Sequence, residues 1–213
     1  MSDPSPEGFY ARFRDRAEEW IYRLNENEHW IFKLYDWGNE VWAALRFRGV
    51  RRRANALDRS FATGTGVDAH IRGLTTADDE AFVALVAQLD FQYGPPHPVD
   101  RAGALRALRR HSYLPFGIFV EKRLVGYLLL RLFFPSRAVT GIWTLPETYN
   151  LGLGQAALRR TANFSHAEGL ADYATISIDN PNSLRMANAA GWATIRTNRR
   201  FHVLLNTENQ PID

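Results

Sequence analysis

Cysteine is absent, and with it go disulfides, thiolate nucleophiles and cysteine-ligated metal. Lysine is nearly absent: only Lys33 and Lys122 occur, so arginine carries almost all the positive charge. Arginine favours planar, bidentate contacts with phosphate and carboxylate, although a GC-rich coding preference accounts for the same bias. No run approaches the ~20 successive apolar residues that a membrane span requires. The stretch from Met1 to Glu7 has neither the basic n-region nor the apolar h-region of a secretory signal. With the missing cysteine, this sets the expectation of a cytoplasmic protein, and no metal is expected. A formal net charge of +3 creates no overall field suited to nucleic acid. What is there is globular in composition: 213 residues, 46% apolar and 23% charged, enough for one ordinary domain plus an appendage or for two small domains.

Two regions differ in character. Over residues 1–61 the pattern is helical and aromatic. Phe9, Phe13, Ala17, Trp20 and Leu24 step by three or four, and a second series follows through Trp30, Leu34, Trp37, Val41 and Leu45. An arginine cluster of Arg46, Arg48, Arg51, Arg52 and Arg53 ends it. Residues 62–68, which contain Thr63-Gly64-Thr65-Gly66, read by composition as a flexible linker. Residues 69–213 then alternate between strand and helix signals. Strands are predicted at Ala69–Leu74, Phe116–Val120, Leu124–Phe134, Ala138–Leu145, Tyr173–Ile178, Ala193–Thr197 and Phe201–Leu205. Helices are predicted from Thr76, through Leu105 and Leu108, from Gly152 to Glu168 and from Ser183 to Ala190. Antiparallel hairpins joined to βα crossovers give an α/β (α+β) domain, a mixed, mostly antiparallel sheet flanked by helices and preceded by a helical appendage.

The most informative segment runs from Thr144 to Leu158. A strand ends at Pro146, a turn containing Gly152 and Gly154 follows, and an apolar helix starts directly. Unpaired N–H groups at a helix start attract phosphate oxygens, and glycine lets a ligand approach the backbone. A glycine turn that merely permits a tight strand-to-helix connection carries the same letters. Its place in the element order raises the phosphate reading. Over about residues 70–205 the chain resembles the GNAT superfamily of acyl-coenzyme A-dependent N-acyltransferases. Thr144-Leu145-Pro146 resembles that family's strand end, and Tyr149-Asn150-Leu151-Gly152-Leu153-Gly154 its glycine turn. Asn180-Pro181-Asn182-Ser183 through Gly191-Trp192 resembles a second family segment. The resemblance implies that the backbone at Thr144 and Leu145 pairs with the pantetheine arm of acetyl-CoA or another acyl-CoA. It also implies that amides from Asn150 to Gln155 hold the pyrophosphate, with Tyr149, Asn180 and Ser183 beside the cosubstrate.

Three departures from the family pattern concern catalysis. Tyr149 stands where the family usually has Arg or Gln, and Ala187 where many members carry a tyrosine acid. The strand from Ala138 to Leu145 contains no carboxylate. An attacking amine must lose a proton, and Glu147, Asp179, His166, His202 and Asp90 are the candidates, none singled out by spacing. Phe91, Tyr93 and His97 either shape an acceptor pocket or simply cover the sheet. The function expected is transfer of an acetyl or other acyl group to a primary amine of a small molecule or a protein. The alternative is a degenerate accessory subunit with this fold. The helices of the appendage read as a docking element for the acyltransferase domain, another protein or a second copy. Tryptophans and arginines also fit peripheral contact with a membrane surface. Glu18, Glu19, Glu26, Glu28, Asp36 and Glu40 weaken both electrostatic readings, the anionic membrane surface and nucleic acid.

Overall fold

The computed structural model describes residues 30–89 and 100–207, the side chains of residues 31 and 32 excepted. The series Phe9 to Leu24 and the loop with Asp90, Phe91, Tyr93 and His97 lie outside the described residues. An eight-stranded sheet runs in the order β1-β2-β3-β4-β5-β6-β8-β7. Its strands are β1 (Asp58–Ala62), β2 (Asp68–Gly73), β3 (Tyr113–Val120), β4 (Arg123–Phe133), β5 (Arg137–Thr144), β6 (Ala171–Ser177), β7 (Trp192–Thr197) and β8 (Phe201–Asn206). All neighbours are antiparallel except β5 and β6. The helices are α1 (Trp30–Arg46), α2 (Arg48–Ala56), α3 (Asp79–Val86), α4 (Arg101–Arg109), α5 (Leu153–Ala167) and α6 (Pro181–Ala189).

The central strands β3 and β4 are buried on both faces, which is why their sequence reads as continuous apolar runs rather than alternation. Phe116 on one face meets Phe164 of α5 edge-on at 5.5 Å. On the other face Tyr127 meets Phe82 of α3 edge-on at 5.0 Å. Each such fully buried aromatic contributes roughly 1.5–3 kcal/mol relative to exposure. The strand β3 begins at Tyr113, three residues before the predicted start. Pro115 does not break it, because its carbonyl accepts from Leu74 just past the end of β2, where its missing N–H would have faced.

The expected boundary at 62–68 is not a linker. Ala62 and Asp68 are the last pair of the β1–β2 ladder, so the segment is a hairpin tip inside the sheet. Residues 30–61 are likewise no separate appendage. Val50 and Ala54 of α2 and Ala43 of α1 are buried in the same core as the sheet. A Cβ on Gly73 would lie 2.3 Å from the Ala54 carbonyl, so α2 rests directly on the backbone of β2. Asn39 of α1, 5% exposed, donates to Leu132 O at 2.8 Å and accepts from Phe134 N–H at 3.2 Å, closing off the end of β4. Beside it Glu40 accepts from Ser112 N–H and Oγ and from His111 N–H. Burial opposes its ionisation, but these donors and Arg110 outweigh it and hold the carboxyl below its ordinary range. The sequence missed β1 because the strand is exposed at every position save Phe61, an edge strand without alternation.

Candidate functional site

β5 and β6 are parallel, and their pairing stops early. The register runs from Arg137↔Ala171 to Thr140↔Ala174 and no further. Past that point β5 stays with β4 up to Gly126↔Thr144, and β6 stays with β8 up to Ser177↔Phe201. The two halves of the sheet therefore part, leaving a gap between Gly141–Thr144 and Thr175–Ser177. Leu145 N–H bonds Val125 O at 2.8 Å, so by the alternation of the ladder the backbone of Ile142 and Thr144 faces the gap. These are unpaired edge groups of the kind an extended, amide-bearing chain can join.

That alternation separates Thr144 from Leu145. Leu145 has both backbone groups occupied: its N–H by Val125, its carbonyl by Thr148 N–H at 2.9 Å and Thr148 Oγ1 at 2.7 Å. It is 2% exposed and belongs to the core, so the expectation of a backbone contact at Leu145 does not hold. Thr144 turns its backbone toward the gap.

Both parallel strands run into helix starts at the same end of the gap, the usual position for a ligand in a parallel sheet. After β5 comes a 3-10 turn at Pro146–Thr148, then Asn150 (φ 63°) and Gly152 (φ 75°), two left-handed residues flanking Leu151. Asn tolerates this conformation and Gly adopts it freely. Gly152 is the N-cap of α5 and no side chain caps the helix. Ala156 N–H is the first to bond back, to Gly152 O at 3.1 Å. The N–H groups of Leu153, Gly154 and Gln155 thus form an uncapped positive helix end beside the gap. The start of α6 is different. Asn180 is its N-cap and accepts from Ser183 N–H at 3.0 Å, with Pro181 in the first turn. That bond gives Asn180 and Ser183 a local structural role.

The remaining predicted residues divide. Gly154 supports helix packing: a Cβ there would lie 2.4 Å from Met186 Sδ of α6. Gln155 turns its side chain away to Ala189 O at 2.8 Å. Tyr149 is exposed. Ala187, at 3% exposure, is packed in the core rather than in open space. Glu147 is paired with Arg123 at 3.0 Å on the surface. Asp179 is exposed, its N–H bonded to Ser177 Oγ at 3.3 Å. His166 lies in the last turn of α5, roughly 20 Å along the helix from the glycine turn. His202 sits on β8, its Nδ1 2.9 Å from Thr197 Oγ1.

Sequence reasoning missed two elements of the site. Trp143 folds back over Gly141, where a Cβ would lie 2.1 Å from the indole, and stacks on Tyr127 at 4.9 Å. This aromatic wall stands on the diverging half of β5. The hairpin tip at Thr63–Gly66 also reaches the glycine turn, with Thr65 Oγ1 donating to Leu151 O at 2.8 Å. Nothing local in a Thr-Gly-Thr-Gly string announces a partner 86 residues away.

Among the described residues, no group of acids and histidines is arranged to hold a metal ion. No curated protein matches the sequence. Solved structures do match in fold. The GNAT domain of PAT from Streptomyces lividans is 13% identical, with TM-score 0.62, over 70% of this chain and 95% of that one. A ribosomal-protein-S5-alanine acetyltransferase from Vibrio fischeri is 16% identical, with TM-score 0.56, over 72% and 100%. The PaiA N-acetyltransferase from Thermoplasma acidophilum, solved with coenzyme A, is 15% identical, with TM-score 0.55, over 65% and 98%. The acetyltransferase (GNAT) family profile matches residues 81–192, from α3 through the glycine turn to the start of β7 and over half the sequence. The parted parallel strands, the uncapped start of α5 and this match lead to one conclusion: the chain belongs to the GNAT family of acetyltransferases.

Proposed function

We propose that the protein transfers an acetyl or related acyl group from coenzyme A to a primary amine. The observation that carries the reading is the gap between β5 and β6, opening beside the uncapped start of α5. N–H groups at residues 152–155 suit a pyrophosphate, and the edge groups of Ile142 and Thr144 suit the amides of a pantetheine arm. The solved relative from T. acidophilum contains coenzyme A, which supports the assignment. A backbone N–H facing the gap is also the kind of donor that stabilises a developing oxyanion. The attacking amine must pass its proton to a base or to an ordered water; β5 carries no carboxylate, and His166 lies at the far end of α5 from the gap. The acceptor is a small-molecule amine or a protein amine. Leu34, Trp37, Val41 and Leu45 recur at helical spacing on an exposed face of α1, which supports docking of a protein, a second copy or a membrane surface there. A cytoplasmic setting remains our reading of the cysteine-free composition.

A second reading is an accessory subunit with the same fold and no turnover. Ala187 favours it, being small and buried where many relatives have a tyrosine acid. Calorimetric titration with coenzyme A, followed by thiol release from acetyl-CoA on a panel of amines, separates the two. Binding with turnover supports the transferase, and binding without turnover on any amine supports the accessory subunit. No binding overturns the cosubstrate site.

A further inference from the structure

The tip of the β1–β2 hairpin touches the glycine turn, and the contact is directional. Val67 N–H donates to Thr63 Oγ1 at 3.1 Å, and Thr63 Oγ1 lies 2.8 Å from Thr65 Oγ1, which is 2.8 Å from Leu151 O. A carbonyl only accepts, so Thr65 donates to Leu151. Its oxygen is then left to accept from the Thr63 hydroxyl, and every hydroxyl in the relay gives one hydrogen bond and receives one. The tip also packs against the next residue: a Cβ on Gly152 would lie 3.4 Å from Thr63 Cβ. Behind it, Arg160 of α5 stacks over Phe61 of β1 at 4.3 Å, fastening the same hairpin to the same helix.

We propose that the Thr63–Gly66 tip is a brace that fixes the Leu151–Gly152 peptide for binding the pyrophosphate, with Thr65 as the positioning residue. This rests on the coenzyme A reading above and assigns a role to a segment outside the matched residues 81–192. A trans peptide points its C=O and N–H in opposite directions. Holding Leu151 O toward the tip therefore aims Gly152 N–H away from it, on the side opposite the brace. Gly152 adopts either sign of φ freely, so the Leu151–Gly152 peptide is of the kind that rotates at little steric cost. Rotation would present the Leu151 carbonyl, the negative end of its dipole, in place of the N–H. An anion would then meet an acceptor. The hydroxyl relay removes that alternative.

Thr65 is exposed, so its substitution does not disturb the core. The test is calorimetric titration of wild type, Thr65→Val and Thr65→Ser with coenzyme A, alongside ligand-free thermal midpoints. Thr65→Val keeps the shape and loses the donor. It is expected to weaken coenzyme A by about tenfold, the factor of a single hydrogen bond, with the midpoint unmoved. Thr65→Ser keeps the donor and is expected to restore affinity to within about twofold. If Thr65→Val lowers the midpoint, Thr65→Ala at a temperature where it is fully folded takes its place. Wild-type affinity in the folded Val or Ala variant, or failure of Ser to restore it, overturns the brace while leaving the coenzyme A site standing. A wild-type protein that does not bind coenzyme A overturns both.

Discussion

Gly152 and Gly154 look alike in the sequence, yet their surroundings give them different work. Gly152 has φ 75° and its nearest neighbour is the Thr63 side chain, so a β-branched residue there strains the backbone and pushes the tip off the turn. Gly152→Val is expected to abolish coenzyme A binding at a modest cost in stability, on the order of 1–3 kcal/mol, as read by calorimetry and denaturant unfolding. Gly154→Val instead drives its side chain into Met186 and is expected to unfold more easily by roughly 1–3 kcal/mol. Retained wild-type stability in that variant would show that the Met186 side chain moves aside. Ala187→Tyr belongs with these. At 3% exposure the position offers a phenol no ready space, so the variant is expected to be destabilised rather than to gain rate. A faster, equally stable enzyme in a thiol-release assay would contradict this.

At the scale of the element, α5 and β6 share a buried acid. Asp172, at 3% exposure, is held by Thr140 Oγ1, with the buried Ser165 hydroxyl of α5 beside it. Burial is the main cause that pushes its pKa up to about 7, with the Thr140 and Ser165 hydroxyls pulling the other way. The folded protein therefore holds a proton between about pH 4 and 7 that the unfolded chain releases. Stability is expected to fall as pH rises through that window, with the loss complete above about 7. Asp172→Asn removes the charge, and its denaturant midpoint is expected to stay flatter with pH than that of wild type. An identical slope in the two proteins would assign the effect to other groups. The Asn180 cap of α6 is a smaller case: Asn180→Ala is expected to cost about 1 kcal/mol, seen as a lowered thermal midpoint.

At the scale of the whole fold, α1 and α2 share one core with the sheet among the described residues. Removing residues 1–66 would strip β1 from the edge of β2 and expose Ile71 and Gly73 where α2 now lies. It would also uncover the end of β4, where Asn39 and Glu40 satisfy backbone groups. Such a protein is expected to aggregate or to express as insoluble material. Circular dichroism and size-exclusion chromatography check this. A monomeric, folded 67–213 fragment would show that the helices are dispensable.

The sequence by itself determined the strand and helix order from β2 to β8, because burial on one or both faces writes its period locally into the residues. It also determined the glycine turn, since a helix start without a cap needs neighbouring letters only. What the letters could not carry were relations between distant segments. The parting of β5 from β6, the loss of Leu145 to β4 and the buried acid at Asp172 each depend on which strand lies alongside. The Thr63–Gly66 segment reads as a linker because small, polar residues suit both a free chain and a tight tip. Only the tertiary structure decided between them, by laying that tip against Leu151 with a hydrogen bond that exists once the sheet is assembled.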